Sequence, residues 1–492
     1  MKVIHIAAEM TKIAKVGGLG DVVESLTKAL EEKKISATVI LPKYKRANLK
    51  AIKNFKLEIK DLKVFEKDKI QSNKVYSGKI GRVKIYLIEP KNSYFKKNSI
   101  YGYKNDNDRF LYFCKCALEL LNLKYTKIDI VHLHDWHTAF IAPYYKLFFK
   151  KDVNIKAFAL SIHNLCYQGV ASIINLKNLG VEIKEIKKNR LLFDTKIKDV
   201  NLLKSGIAYV DIVIPVSKTY AKEILTKNQG YGLENFLKIN KNKIRGIVNG
   251  IDTDLWDPKK DVLIPSNFDK TMTIDQILEK REENKSKLRE ILKLEKSALP
   301  IIASIGRIVT QKGPELIKHA IKNYKNRYQF VLLGIPYEKD ITSEFNKLKN
   351  EFQYNKDISI NFSHDESLCR LIYAAADFLI IPSLFEPCGL TQMIGFRYGV
   401  LPIVRKTGGL ADTVFDLDEN SIPKDKRNGF TFTKFSIASF DKAIKRALNF
   451  WKNKKATLNF VIKKNMKLDH SWEKSIEDYI TNYKKILNSN LK

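Results

Sequence analysis

The sequence predicts an α/β protein built from two similar halves, each with a doubly wound sheet. Short apolar runs of strand length alternate with amphipathic helical segments along the chain, which is the pattern of a parallel sheet covered by helices. A phrase near the start, Lys-Val-Gly-Gly-Leu-Gly-Asp-Val-Val at residues 15–23, returns as Lys-Thr-Gly-Gly-Leu-Ala-Asp-Thr-Val at residues 406–414. Its return so late in the chain indicates two halves with related glycine turns.

The chain begins with a predicted strand, turn and helix. Residues 1–8 are a β-branched apolar run that predicts a buried strand. Apolar side chains then recur at helical spacing, at Leu19, Val22, Val23, Leu26 and Leu30. The helix therefore opens at the glycines, where free backbone N–H groups and the helix dipole favour an anion. Gly17 and Gly18 predict an anion site, with Lys15 as a mobile cation beside it.

Length and composition limit the class of protein. The 492 residues suffice for two or three domains, and no apolar run reaches the roughly 18 residues that a membrane-spanning helix needs. The first predicted strand starts at Met1, so no leader is expected, and the five cysteines are expected to be reduced thiols in a cytoplasm. The formal charge of +34 is spread as lysine over the whole chain. This spread favours a compositional bias, so neither a membrane nor a specific nucleic acid is expected as a partner.

Two common nucleotide-binding motifs are missing from the first half. The dinucleotide fingerprint Gly-x-Gly-x-x-Gly is broken, because Val23 stands where a third glycine would follow Gly18 and Gly20. Lys43, and not an acid, follows the second predicted strand at residues 35–42. Walker A spacing is also missing. These departures disfavour a dehydrogenase and a P-loop nucleotidase.

A loop rich in tyrosine and asparagine, residues 93–108, follows the predicted strand at residues 83–89. It contains Tyr101 and Tyr103. Because tyrosine has an apolar face and a polar tip, these rings would either stack on sugar rings or pack the loop against the protein. The sequence leaves both interpretations open.

Polar clusters follow two predicted strands of the first half. Residues 128–137 run from an apolar strand into His-Leu-His-Asp-Trp-His. His132 and His134 share one side of that strand, but no further ligand set is near them in sequence, so a zinc site is disfavoured. The next strand ends in His163 and Asn164. Polar side chains at the carboxyl ends of strands more naturally line the crevice of a doubly wound sheet.

The second half repeats this arrangement. Its predicted elements are a hinge at 252–258, a solvated charged helix at 275–296, strands at 300–306, 328–334, 377–383 and 401–404, and an amphipathic final helix at 469–483. Arg307 and Lys312 follow the first of these strands, and Glu386 follows the third. The second glycine turn follows the fourth, so charged and glycine residues again gather at strand ends.

Seven phrases in the same order resemble the bacterial glycogen synthases and plant starch synthases over essentially the whole chain. They are residues 15–22, 134–137, 161–169, 248–252, Arg307 with 311–313, residues 386–392 and residues 406–412. The resemblance implies a GT-B fold, in which two Rossmann-like doubly wound domains face a central cleft. The implied domains are residues 1–248 on the acceptor side, 249–464 on the nucleotide-sugar side, and a C-terminal helix, 465–492, that packs back on the first domain.

The resemblance also implies a reaction. Glucose would pass from ADP-glucose to the non-reducing end of a (1→4)-α-glucan with retention of anomeric configuration, as in glycogen biosynthesis. The partners would be ADP-glucose and the α-1,4-glucan, with no cofactor and no metal. This chemistry fits the residues, because cations and helix N-termini can meet the charge that develops on a leaving phosphate.

Residue roles are carried over from the same family. The catalytic residues implied are His163 beside the donor sugar, Arg307 and Lys312 on the diphosphate, and Glu386 on the glucosyl hydroxyls. Nucleotide-sugar binding is also implied for Lys15, Gly17, Gly18, Asn249, Thr407, Gly408 and Gly409. Acceptor and cleft positions are implied for Asp21, Tyr101, Tyr103, Asp135 and Asn164.

Three alternatives compete with this interpretation. One is another GT-B transferase that uses UDP-glucose, such as a sucrose- or trehalose-phosphate-type synthase, and residues 386–392 count against it. A second is a basic, non-catalytic protein that binds glucan or nucleic acid. A phosphorylase would need a lysine for pyridoxal phosphate, and the sequence singles out none.

Overall fold

A computed structural model describes residues 1–149 and 152–489 of the chain. These residues form two units. The first comprises Met1–Gly250 and the C-terminal segment that starts at Trp472, and the second comprises Ile251–Ser471. Each unit has its own sheet, and the two sheets confirm the predicted class of two doubly wound α/β domains.

The first unit is organised around a sheet of eight strands. Its strands, with a small separate sheet made by β8 to β10, are β1 (Lys2–Ile6), β2 (Ser36–Pro42), β3 (Lys53–Glu66), β4 (Lys69–Ile80), β5 (Val83–Pro90), β6 (Lys127–His134), β7 (Asn154–Ile162), β8 (Val170–Ala171), β9 (Phe193–Asp194), β10 (Asp199–Asn201) and β11 (Ile212–Pro215). The order in the large sheet is β11-β7-β6-β1-β2-β5-β4-β3. The six strands from β11 to β5 are parallel, and β4 and β3 are antiparallel additions at one edge. Apolar residues of β1, β6 and β7 are buried on both faces, as in other parallel sheets.

Helices cover the first sheet. They are α1 (Gly18–Glu32), α2 (Asp106–Lys124), α3 (Trp136–Ala139), α4 (Ile141–Leu147), α5 (Ile173–Lys177), α6 (Ile183–Lys188), α7 (Leu202–Tyr209), α8 (Lys218–Glu223) and α9 (Glu234–Ile239), with short 3-10 turns at Leu49–Ala51 and Lys241–Lys243. Helix α1 opens at the predicted glycine turn. Its apolar stripe, which includes Val22, Leu26 and Leu30, is buried in the core, as the helical period predicts.

The antiparallel edge of this sheet is a long hairpin that the sequence interpretation did not predict. Strands β3 and β4 pair along most of their length, with register shifts after Lys53, Leu57 and Ile59. Phe55, Leu57 and Ile59 of β3 alternate with charged residues, several of them lysines, so the period of a half-buried strand is present and the sequence interpretation overlooked it. Its edge position explains the composition, because lysines blunt an exposed sheet edge.

The second unit contains a parallel sheet of six strands. These are β12 (Ile301–Ile305), β13 (Gln329–Leu333), β14 (Ile358–Asn361), β15 (Phe378–Ile381), β16 (Leu401–Arg405) and β17 (Phe430–Phe432), in the order β14-β13-β12-β15-β16-β17. The helices are α10 (Ile274–Leu292), α11 (Pro314–Lys322), α12 (Lys339–Glu351), α13 (Glu366–Ala375), α14 (Thr391–Arg397), α15 (Gly408–Thr413), α16 (Ile437–Asn453) and α17 (Lys455–Met466), with a 3-10 turn at Thr310–Lys312. Strands β12, β15 and β16 are neighbours, so their carboxyl ends meet at one edge.

The charged run at residues 275–296 is not the solvated helix that the sequence predicts. Helix α10 buries Arg281, Lys285 and Arg289. The Arg281 guanidinium donates to the backbone carbonyls of Tyr398 and Ala376, and the Lys285 ammonium lies 2.9 Å from the Asp377 carboxylate. Burial lowers the pKa of Arg281 to about 10. Cations can be buried here because acceptors distant in sequence pair with them.

The last helix, α18 (Trp472–Ser489), packs on the first unit, as the resemblance implies. Its apolar face, which includes Trp472, Ile476 and Tyr483, shares one core cluster with residues of α1 and of strands β1, β6 and β7. The Ser475 hydroxyl donates to the Val248 carbonyl at 2.7 Å. The chain therefore completes its first unit with its last helix.

Two further expectations concern thiols and membranes. All five cysteines are free. Among the described helices, none combines the length and the apolar character that crossing a membrane requires.

Candidate active site

The glycine turn at the start of α1 is filled by a carboxylate of the same chain. Glu9 is 3% exposed, and its Oε2 accepts hydrogen bonds from the backbone N–H groups of Val16 at 2.6 Å and Gly17 at 2.9 Å. Its other oxygen accepts from the Tyr101 hydroxyl at 2.7 Å. The turn does favour an anion, as the sequence indicates, but these two donors are already used. An acid shortly before a glycine turn was the signal that could have revealed this.

Lys15 is an ion-pair partner in this structure and not the mobile cation expected. Its Nζ lies 2.6 Å from Oδ1 of Asp21, in the first turn of α1, and both side chains are partly exposed. The Thr11 hydroxyl donates to the same oxygen at 2.8 Å. The lysine is therefore held at the turn, beside Gly17.

Asp135, directly after β6, has an unusual backbone conformation. Its φ of 55° and ψ of −174° lie in a region that is otherwise almost reserved for glycine, at a cost of about 1–3 kcal/mol. Its Oδ1 accepts from the backbone N–H groups of His163 at 2.7 Å and Asn164 at 3.4 Å. Burial raises the pKa of Asp135 to about 7; the two N–H groups oppose this rise, and the charge of Glu9 adds to it. Asp135 has a strained backbone, and its carboxyl joins the end of β6 to the end of β7.

A row of imidazole rings runs from the core to the end of β7. Nδ1 of His5 lies 3.1 Å from Nε2 of His134, and Nδ1 of His134 lies 3.1 Å from Nε2 of His163. His132 stands beside the row and bonds the hydroxyls of Tyr483 at 2.6 Å and Ser161 at 2.8 Å. The sequence interpretation missed His5. Its strand position pairs with His132, and a lone histidine inside an apolar strand was the only signal.

The two loop tyrosines and Asn249 differ in their surroundings. Tyr101 packs its ring 4.8 Å from that of His137 while its hydroxyl binds Glu9, and burial raises its pKa well above the usual value. The Tyr103 oxygen accepts from the backbone N–H of Ser99 at 2.9 Å, and the Lys97 ammonium lies over its ring. Both rings therefore pack the loop. Asn249 is 4% exposed, and its Oδ1 has no hydrogen-bond partner among the described residues.

In the second unit, Lys312 and Glu386 are in direct contact. The Lys312 ammonium pairs with Oε2 of Glu386, which also accepts from the Ser383 hydroxyl at 2.9 Å. Glu386 is 6% exposed. The loops that carry them are joined by a backbone hydrogen bond from Leu384 to Gln311 at 2.9 Å. The ends of β12 and β15 are thereby fixed to each other around one ion pair.

Arg307 is a cation without a protein partner. It follows β12 and Gly306, whose φ is +138°, and it is half-buried. It forms no hydrogen bond or ion pair with the described part of the chain. A guanidinium has five donors in a fixed fork that suits phosphate oxygens, so this side chain is available to bind an anion.

The second glycine turn packs tightly against the segment that carries Glu386. The Gly409 N–H donates to the Glu386 carbonyl at 3.1 Å. A Cβ on Gly408, at φ +47°, would lie 1.9 Å from that carbonyl oxygen, and one on Gly409 would lie 1.9 Å from the Cys388 carbonyl oxygen. Thr407 precedes the turn and is 2% exposed. These glycines are therefore required by packing within the unit, whereas a Cβ on Gly17 would meet nothing within 4 Å.

The fold and these groups, together with two matches to known proteins, define the class of protein. Each unit is a doubly wound domain with polar groups at the carboxyl ends of parallel strands: imidazoles and an acid in the first unit, and an acid with cations in the second. A model of the family described as glycosyl transferases group 1 matches residues 284–461 of the second unit. The solved sucrose-phosphate synthase from Thermosynechococcus elongatus, 16% identical with a TM-score of 0.61 and 99% of each chain covered, has the same fold. The protein is a glycosyltransferase with the GT-B fold.

Matches over the whole chain narrow this class. A model described as the starch synthase catalytic domain matches residues 2–239. The glycogen synthase of Protochlamydia amoebophila is 39% identical over 496 residues, with 99% of each chain covered. The probable starch synthase 4 of Arabidopsis thaliana is 40% identical over 97% of this chain and 46% of that protein. The solved catalytic domain of Arabidopsis thaliana starch synthase IV, bound to ADP and acarbose, matches with a TM-score of 0.94 at 39% identity and 99% coverage of both chains. The chain belongs to the glycogen synthase and starch synthase family, which confirms the resemblance.

Proposed function

We propose that this protein extends a (1→4)-α-glucan by one glucosyl residue from ADP-glucose, with retention of configuration. The bond between the anomeric carbon and the β-phosphate oxygen breaks, and a bond forms from that carbon to the O4 hydroxyl oxygen at the non-reducing end. The proton of that hydroxyl passes to the released diphosphate. The products are ADP and a glucan longer by one residue, so no oxidant or co-substrate is consumed.

One observation supports this proposal most strongly. The relative bound to ADP and acarbose matches this chain over 99% of both chains. ADP is the product released in the proposed reaction. The donor is therefore proposed to be ADP-glucose, and the UDP-glucose alternative is kept as an outcome of the test.

The residues of the second unit are proposed to stabilise the leaving diphosphate. Arg307 has no competing partner among the described residues, so its guanidinium is free to bind phosphate oxygens. Lys312 would exchange its contact with Glu386 for the diphosphate as negative charge develops there. Glu386 would then accept hydrogen bonds from the glucosyl hydroxyls. Thr407, Gly408 and Gly409 would line the donor site beside Glu386, whose carbonyl accepts the Gly409 N–H.

The residues of the first unit are proposed to bind the sugar and the acceptor. His163 would contact the transferred glucosyl group, and Asp135 holds its backbone in place through the 2.7 Å hydrogen bond. Lys15 at the Gly17-Gly18 turn would reach the donor, since both it and its ion-pair partner Asp21 are partly exposed. The further residues proposed for donor or acceptor binding are Asn249, Asn164, Tyr101 and Tyr103.

Two cations on one edge of a sheet can supply the charge that a metal supplies in other transferases. Arg307 and Lys312 are therefore proposed to act without a divalent ion.

Donor preference tests the proposal directly. The full chain is incubated with glycogen and either ADP-glucose or UDP-glucose at equal concentration, and the release of ADP or UDP is measured. The proposal expects faster release of ADP. Equal or faster release from UDP-glucose would overturn the donor assignment, and glucan binding without any nucleotide release would favour a non-catalytic binding protein.

A further inference from the structure

His5, His134 and His163 are joined by two nitrogen–nitrogen hydrogen bonds, and their protons can be arranged in only two ways. Burial lowers the pKa of His5 and of His163 to about 3, and that of His134 well below its usual value. Each ring is therefore neutral near pH 7 and carries one proton. The two links, His5 to His134 and His134 to His163, each need one proton. The third proton must then stand at one end of the row, on Nε2 of His5 or on Nδ1 of His163.

The two ends of the row are not equivalent. His5 is fully buried, and its Nε2 has no hydrogen-bond partner among the described residues. His163 is half-buried at the carboxyl end of β7, and its Nδ1 has no protein partner there. A buried ring N–H without a hydrogen-bond partner costs more free energy than a buried bare ring nitrogen without one. The third proton is therefore favoured at His163, where water or a substrate can accept its hydrogen bond.

A metal ion would be a different use of these rings. His5, His132 and His134 form the group of potential ligands, with ligand atoms within 4.8 Å of one another. His5 and His134, however, meet edge to edge, since their ring centroids are 5.4 Å apart and Nδ1 of His5 lies 3.1 Å from Nε2 of His134, so these two nitrogens face each other. Both nitrogens of His132 and of His134 are already in hydrogen bonds. Ring nitrogens that face one another in hydrogen bonds suit neutral imidazoles better than a tetrahedral metal site.

We propose that His5 and His134 are positioning residues that fix the tautomer of His163, so that His163 presents its Nδ1–H as a hydrogen-bond donor to a hydroxyl oxygen of the sugar substrate. His5 Nδ1–H donates to His134 Nε2, and His134 Nδ1–H donates to His163 Nε2. His5 never contacts the substrate and acts through two rings. This inference rests on the proposed function for the identity of the substrate, but the tautomer itself is a property of the free protein.

Two substitutions of nearly equal size separate positioning from packing. His5→Leu fills the buried space with an apolar side chain but removes the donor to His134. His5→Asn places an amide N–H at the side-chain position of Nδ1 and so keeps the donor. A purely structural role would favour leucine in this fully buried place, whereas the relay favours asparagine. Tyr483→Phe is the matched control, because it removes a buried hydrogen bond to His132 and leaves the row intact.

The first measurement uses the full chain labelled with nitrogen-15 histidine, of which it has 8. Nitrogen shifts distinguish a protonated from a bare ring nitrogen. We expect Nδ1 of His163 to carry the proton in the parent, in His5→Asn and in Tyr483→Phe, and to lose this preference in His5→Leu. A proton on Nε2 of His163 in the parent, or an unchanged tautomer in His5→Leu, would overturn the proposal. So would one equivalent of a metal that the parent holds and His5→Leu loses.

The second measurement is transfer from ADP-glucose to glycogen. We expect His5→Leu to lower kcat about tenfold, with the KM for glycogen unchanged. A tenfold change corresponds to about 1.4 kcal/mol, which is the size of one lost hydrogen bond. His5→Asn and Tyr483→Phe should stay close to the parent. A parent that transfers no glucose from ADP-glucose would refute the proposed function and leave the tautomer result standing. A parent with the expected activity and the opposite tautomer would refute the relay alone. If His5→Leu does not fold, the nitrogen spectrum of the parent still shows which nitrogen of His163 carries the proton and so tests the proposal.

Discussion

Arg307 and Lys312 are expected to matter similarly for the reaction but differently for folding. Each is assigned to the charge on the leaving diphosphate, and losing one preorganised donor costs about 2.7–4 kcal/mol, or roughly 100- to 1,000-fold in kcat. Arg307 has no partner among the described residues, so Arg307→Ala should change the free energy of unfolding by less than about 0.5 kcal/mol. Lys312→Ala instead leaves Glu386, 6% exposed, with the Ser383 hydroxyl at 2.9 Å.

The stability cost of Lys312→Ala can be bounded from burial. Breaking a fully buried ion pair costs about 3–5 kcal/mol. The Lys312 side chain is 27% exposed and that of Glu386 is 7% exposed, so water screens part of the loss, and about 1–3 kcal/mol is expected. The double variant Lys312→Ala with Glu386→Gln should recover most of this stability, because no buried charge is left unpaired, and it should remain inactive.

The assay pairs two measurements on each variant. Release of ADP from ADP-glucose in the presence of glycogen gives kcat, and thermal unfolding gives stability. Lys318→Ala is the control, since that lysine forms only a surface pair with Glu344 on the same unit and such pairs contribute about 0–1 kcal/mol. If Arg307→Ala keeps more than about a third of the parent kcat, the leaving-group role assigned on the basis of that magnitude is wrong. If Arg307→Ala is instead as unstable as Lys312→Ala, the side chain is not free.

Three further outcomes are expected. Burial raises the pKa of Asp135 to about 7, so the folded state holds a proton that the unfolded state releases above about pH 4, and this group lowers stability as pH rises from about 4 to 7. The stability of Asp135→Asn relative to the parent should therefore increase by a few kcal/mol over that range. A constant difference in urea titrations would contradict this expectation. Gly17→Ala should have the melting temperature of the parent, while Gly409→Ala should be strongly destabilised because its Cβ would meet the Cys388 carbonyl. Thermal unfolding followed by circular dichroism measures both, and equal melting temperatures for the two variants would refute the packing argument. EDTA should leave transfer unchanged, and activity that is lost in EDTA and restored by a divalent ion would contradict a metal-free mechanism.

The strand ends were predictable because their signals are local. Apolar runs of strand length located β1, β6, β7, β12 and β16 within a few residues, since a doubly wound sheet buries both faces of its strands. The polar residues that follow such runs then fall at the carboxyl edge by topology alone. That the strands before Arg307, Glu386 and Gly408 are neighbours is known from the folded sheet, because the sequence interpretation predicted no strand order.

The partners of those residues were not predictable, because they come from distant parts of the chain. Glu9 fills the first glycine turn together with Tyr101, and no periodicity links them. His5 meets His134 only through the strand order of the folded sheet. The charged helix α10 looked solvated because its acceptors, among them Asp377, lie on other elements. Charge in a sequence shows that partners are needed, and only the fold shows where they are.

The most direct test of the account follows one glucosyl group to its product. The full chain is given ADP-glucose and a linear (1→4)-α-glucan of defined length, and both ADP and the elongated glucan are quantified, with the configuration of the new linkage read by proton NMR. The account predicts one ADP released for each residue added, and an α-(1→4) linkage at the non-reducing end. A β linkage, or ADP release that yields free glucose and no longer glucan, would contradict it.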